Sequence, residues 1–166
     1  MDLLQSLKET QGDTHAQAAV AAKFLLLTLP EAERETFHHA LDAAAVLRWF
    51  DANLLRKVLK VSIGDALNRF EAISLLPFVE GHRRGAGEVH NIHESTRLGW
   101  RKNLASQNIE RFRTLSLRCA SCFNDNETPA GRIEWIGKLF AASHHGNLRH
   151  LDDDEPHYFR WKLFGH

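Results

Sequence analysis

Residues 92–96, Ile92-His93-Glu94-Ser95-Thr96, set an imidazole, a carboxylate and two hydroxyls side by side. Those groups could make a nucleophile, its base and an orienting acid, but catalysis needs them to converge in space with defined hydrogen bonds. Neighbours in sequence do not meet that condition. No G-x-S-x-G, H-E-x-x-H or G-x-G-x-x-G pattern accompanies them, so no enzyme is expected. What remains for His93 is hydrogen bonding at a helix start, either to free backbone groups or to an anion drawn to that end of the helix.

Cys119 and Cys122 form C-x-x-C, with His144, His145 and His150 downstream. A zinc site could use such ligands, yet the interval to the first histidine is longer than in a compact finger, and Cys119 shares a helical stripe with Ile109 and Phe112. Two small hydrophobes on a helix account for the pair. The adjacent pairs His38-His39 and His144-His145 point to different faces of any helix, and the spacing of His90 and His93 fixes no geometry. Neither a metal nor a cofactor is expected.

The elements that would carry these residues follow from periodicity. "THAQAAVAAKFLLLTL" reads as a lead helix within residues 1–29, capped at Thr14 and stopped by Pro30. A second helix opens at Pro30 with Glu31, Glu33 and Glu35 in its early turns. Phe37, Ala40, Leu41 and Ala44 give it one buried stripe and leave Glu35, His38 and Asp42 off it. After a break at "AVLRWF", Asp51 caps a third helix burying Leu54, Leu55, Val58 and Leu59, with Arg56, Lys57 and Lys60 outside. Ser62 and Asp65 open a fourth, with Ile63, Ala66, Leu67, Phe70 and Ile73 inside. Two strand-like runs, Phe78 to Gly81 and Glu88 to Ile92, flank a Gly-rich loop bearing Arg83 and Arg84. From His93 a helix resumes, with Leu98 and Leu104 inside. Residues 30–104 therefore read as a winged helix-turn-helix with a two-stranded wing. Residues 105–166 read as an antiparallel helical hairpin of tetratricopeptide-like kind, "SQNIERFRTLSLRCASCF" followed by "PAGRIEWIGKLFAAS", and an apolar tail with Phe159, Trp161, Leu163 and Phe164. The fold class is mainly α.

Twenty-one basic residues balance twenty-one acidic ones, so no global field attracts nucleic acid or anionic lipid. The longest apolar run, around Phe24 to Leu27, is cut by Lys23 and Pro30 and cannot span a bilayer, and the opening residues lack the apolar stretch of a secretory signal. Two cysteines need no oxidising compartment, which makes the cytoplasm the expected location.

The order "LPEAERETFHHALDAAAVLRWFDANLLRKVLKVS", "LLPFVEGHRRGAGEVHNIHESTR", "RIEWIGKLF" resembles the region that follows the nucleotide-binding core in STAND-type regulatory ATPases, a winged helix running into tetratricopeptide-like helices. The likeness covers roughly residues 24–142 and rests on apolar positions and element order. Its sharpest point is Ile92-His93-Glu94 after the second wing strand, where that family carries a hydrophobic-His-acid triplet whose histidine touches ADP phosphates; Glu94 stands where aspartate is frequent. The resemblance implies a non-enzymatic regulatory and protein-interaction module, with His93 contacting ADP supplied by a partner nucleotide-binding core. A repeat domain is the other partner it implies. No G-x-x-x-x-G-K-[ST] occurs, so the chain is not expected to hold a triphosphate alone.

The alternative is a DNA-binding winged-helix transcription regulator using Lys57, Lys60, Asn68, Arg69, Arg83 and Arg84. Against it, the polar residues Asp65, Asn68, Arg69 and Glu71 of the fourth helix sum to one net negative charge, whereas backbone phosphates are met by several cations.

Overall fold

The computed structural model describes residues 3–84 and 87–123. Among these the chain is mainly helical, with one two-stranded antiparallel ribbon. Helix α1 (Leu3–Glu9) leads into α2 (Thr14–Leu27), α3 (Glu31–Val46), α4 (Ala52–Leu59) and α5 (Ile63–Ser74). The ribbon of β1 (Val79–Arg84) and β2 (Gly87–Ile92) follows, then α6 (Glu94–Gln107) and α7 (Ile109–Phe123). No helix among the described residues is long and apolar enough to cross a membrane.

Local chemistry sets most boundaries. The cap of α2 is Asp13 rather than Thr14: its Oδ1 accepts from the Ala16 N–H at 2.9 Å, and a carboxylate beside a helix start outcompetes a hydroxyl one residue later. Pro30 sits just outside α3 in extended geometry. Arg34 reaches back to the Leu27 and Leu29 carbonyls, a cation on the open C-terminal end of α2. Asp51 Oδ1 accepts from the Leu54 N–H at 2.7 Å to start α4. That helix ends on Lys60 in the left-handed region, with φ 57°. Ser62 Oγ accepts from the Asp65 N–H and donates to the Asp65 carboxylate, opening α5.

In the ribbon, Val79 faces Ile92 and Arg84 faces Gly87. Strand β1 thus runs three residues beyond Gly81, so Arg83 and Arg84 belong to its end, in register with Glu88 and Gly87, and not to the loop. Backbone pairing opposite Gly87–Val89 extended the strand past the glycine that looked like its stop. The loop after α3 adds a further pairing, since Phe50 and His90 exchange both peptide hydrogen bonds, at 2.7 and 2.8 Å. His90 also meets the Phe70 ring edge-on at 4.8 Å, which ties the ribbon to α5.

Helix α3 is the centre of the molecule. It packs against α2, α4, α5, α6, α7 and β2, and every residue from Ala40 to Val46 is buried. The single-stripe expectation fails here: alanines at 40, 43, 44 and 45 let neighbours close in on all sides. Asp42, expected at the surface, is inside. A single hydrophobic core runs from Ala22 in α2 to Phe123 in α7, so the segments 1–29, 30–104 and 105–123 share it. Helices α2 and α6 approach closely, and a Cβ on Gly99 would run into the His15 backbone carbonyl.

Two positions on α5 also differ from expectation. Ile63 and Leu67 are 49% and 44% exposed, while Ala66 and Ile73 are fully buried. One turn of a short helix presents only a narrow strip to the core, and Ala66, Phe70 and Ile73 fill it. The second helix of the expected hairpin and the apolar tail lie outside the described residues.

Candidate functional site

His93 occupies the position immediately before α6. Its N–H donates to the Phe78 carbonyl at 2.8 Å and its carbonyl accepts from the Arg97 N–H at 2.9 Å, so the backbone joins ribbon to helix. The side chain does not cap the helix and is 60% exposed. Its Nε2 lies 3.4 Å from Glu80 Oε1, while the other oxygen of Glu80 lies 3.6 Å from His82 Nε2. Glu94 turns instead to Arg97 at 3.0 Å. Ser95 is half-buried and Thr96 buried, and among the described residues no hydrogen bond joins either hydroxyl to His93. An exposed imidazole at the positive end of a helix, facing a carboxylate, can exchange that carboxylate for another anion.

The cations weighed for nucleic acid are spread over three elements. Lys57 and Lys60 are exposed at the end of α4, Asn68 is exposed and Arg69 half-buried on α5, and Arg83 and Arg84 stand on β1. On α5 the exposed side chains are Ile63, Asp65, Leu67, Asn68 and Glu71. Of the cysteines, Cys119 is in the core and Cys122 is half-buried, its thiol donating to the Arg118 carbonyl at 3.2 Å. Burial pushes the Cys122 thiol up, with Lys57 opposing only weakly, which keeps it protonated. Among the described residues no three His, Cys, Asp or Glu side chains are grouped to hold a metal ion; His144, His145 and His150 lie outside them.

A different constellation surrounds Asp42. This side chain is 1% exposed, and both its oxygens are engaged. Oδ1 accepts from Trp100 Nε1 at 2.9 Å and Oδ2 accepts from Arg111 Nε at 2.6 Å, with His38 Nδ1 at 3.5 Å. The His38 ring lies 5.2 Å from the Trp100 indole. Burial alone would push the carboxyl up, but the contacts with His38, Trp100 and Arg111 outweigh it and hold Asp42 below the usual carboxylate range. Helix α3 brings His38, His39 and Asp42, α6 brings Trp100, Asn103 and Gln107, and α7 brings Arg111, whose N–H donates to Asn108 Oδ1 at 3.0 Å. Together they wall a half-open cleft of about 300 Å³. At its edge Lys23 Nζ donates to Asn103 Oδ1 at 2.6 Å. Burial lowers His39, and the nearby Arg111 charge lowers it further, which favours the neutral ring.

The one trace of this site in the sequence is an ionisable residue inside "ALDAAAV", a run otherwise free of charge. Trp100 and Arg111 lie 58 and 69 residues away, beyond the reach of spacing rules. No protein-family model, curated protein or solved structure matches the chain.

Proposed function

We propose that this chain is a non-catalytic regulatory module that docks onto a protein partner through a winged helix over residues 30–104, closed by α6, with α7 opening its helical extension. In this reading α3, α4 and α5 are the three helices, the Phe50–His90 pairing is the short first strand, and β1 with β2 form the wing. The observation that carries it is the outward face of α5. Ile63 and Leu67 are exposed there beside Asp65 and Glu71, where a DNA-reading helix presents cations to phosphates. Between α5 and α3 lies a shallow hollow of about 270 Å³ lined by Phe37, Ala40, Ala72 and Ile73, with Glu33 and Arg69 also on its walls. Apolar side chains around such a hollow suit protein contact.

The resemblance to STAND-type ATPases makes a nucleotide-binding core the partner in view, with His93 its link to ADP. Glu80 then acts as a stand-in anion that a phosphate displaces. The test is positional. A photocrosslinking residue placed at Leu67 should give one discrete adduct in cells, an equivalent residue at exposed Thr114 on α7 should not, and Ile63→Glu should abolish the first. Equal labelling at both positions, or none, removes the docking role of α5. DNA binding is read separately by fluorescence anisotropy on duplexes over a salt series, where salt-sensitive affinity lost in Lys57→Ala/Lys60→Ala would establish the transcription-regulator reading instead.

A further inference from the structure

We infer that the cleft between α3, α6 and α7 is a binding site for the carboxylate of a small polar molecule, held by the guanidinium of Arg111. This site is independent of the α5 face. The inference rests on what Asp42 does to Arg111. Asp42 takes a single guanidinium atom, Nε, and among the described residues no acceptor meets either Nη. Both Nη groups therefore keep their donors on a planar group whose stem is fixed at one corner. Arg111 is partly exposed and lines the cleft, which is where those donors can be used. A fixed planar fork matches the two oxygens of a carboxylate, which it can bind through parallel hydrogen bonds.

The other walls fit the same ligand. His39, Asn103 and Gln107 supply neutral hydrogen-bonding groups around the fork, suited to the polar remainder of a small molecule. Charge favours a monoanion. Asp42 already balances one cation, Lys23 stands at the edge on Asn103, and His39 is biased to its neutral form. A dianion would have to overcome the ionised Asp42 with little further positive charge to offset it. Asp42 itself has no oxygen left over, so its place is to orient Arg111 and the Trp100 indole rather than to touch the ligand.

Trp100 gives a direct reporter, because its indole N–H is hydrogen-bonded to the same carboxylate that holds Arg111. The full chain would be titrated separately with lactate, with lactamide as the uncharged analogue and with inorganic phosphate, following the Trp100 indole and Arg111 side-chain signals by NMR. Saturable shifts are expected with lactate and not with lactamide. Arg111→Lys keeps the charge but loses the fork, and should weaken lactate on the order of tenfold. Because that change also touches the Asp42 pair, Gln107→Glu serves as the second variant: it alters an exposed residue on the cleft wall and should abolish binding by repulsion while leaving the circular dichroism spectrum and melting temperature unchanged. Shifts that never saturate, shifts equal for lactate and lactamide, binding of phosphate alone, or undiminished lactate binding in folded Gln107→Glu would each overturn the assignment.

Discussion

At the scale of single residues, Asp42 is the most consequential side chain in the molecule. Asn in its place still accepts from Trp100 but leaves the Arg111 guanidinium without its counter-charge. Since Arg111 reaches water, the cost falls below that of a fully buried broken pair, at about 2 kcal/mol. Its pH dependence has a definite sign. The folded carboxyl titrates below its usual value of 3.8, so its stabilisation is complete above that value and is lost as pH falls through the lower folded one. The stability difference between wild type and Asp42→Asn, from urea melts, should stay flat from pH 7 to about 5 and shrink only in stronger acid. His39 acts at milder pH. Its folded pKa is lowered from 6.5, so the unfolded chain binds the proton first and stability declines as pH drops below 6.5; His39→Asn should remove that decline. For His93, with an ADP-loaded partner core, His93→Ala should speed ADP release and Glu80→Gln should slow it, because the first removes a donor and the second removes a competing anion. Unchanged release in both variants would end the phosphate role. The sequence pointed to His93 because a strand-to-helix junction is a local event, whereas Asp42 was missed because its partners come from helices far along the chain.

At the scale of elements, helix approach and helix termination make opposite demands on glycine. Gly99→Ala should gain helix propensity, yet its Cβ meets the His15 backbone carbonyl, which cannot move aside without separating α2 from α6. The net loss should be about 2–3 kcal/mol in equilibrium denaturation, as for other overpacked contacts. Lys60→Gly should do the reverse and stabilise by up to about 1 kcal/mol, because a left-handed residue at a helix end costs a side chain more than it costs glycine. The helices from α2 to α7 and both strands were legible from periodicity, caps and turn residues. Their ends were less so, as at Thr14 and Gly81, where the deciding hydrogen bond comes from one residue earlier or from the opposite strand. Helix α1, only seven residues long, was not foreseen.

For the whole molecule, one core shared from α2 to α7 implies one cooperative transition for the described part, with coincident far-ultraviolet and tryptophan signals. Within it, burial separates the two kinds of apolar residue on α5. Ile73→Ala removes a fully buried side chain and should cost about 2–4 kcal/mol. Leu67→Ser, at the surface, should leave the unfolding free energy within about 0.5 kcal/mol of wild type. A comparable loss of stability in both would mean that the outer face of α5 is structural. Periodicity placed both residues on the same stripe, because it reports which residues could be buried together and not how many neighbours arrive to bury them. Asp42 errs in the other direction, drawn inside by the crowding around α3.

The peptide pair between Phe50 and His90 has a mechanical corollary. It clamps the ribbon at its middle, and the Phe70 ring presses on the same histidine, so α5 and β2 have little freedom to slide independently. Under the docking reading, a load on α5 would reach β2 through this clamp, and His93 stands at the base of the same ribbon, where its N–H meets the Phe78 carbonyl. The proposed contact face and the exposed imidazole thus share one footing.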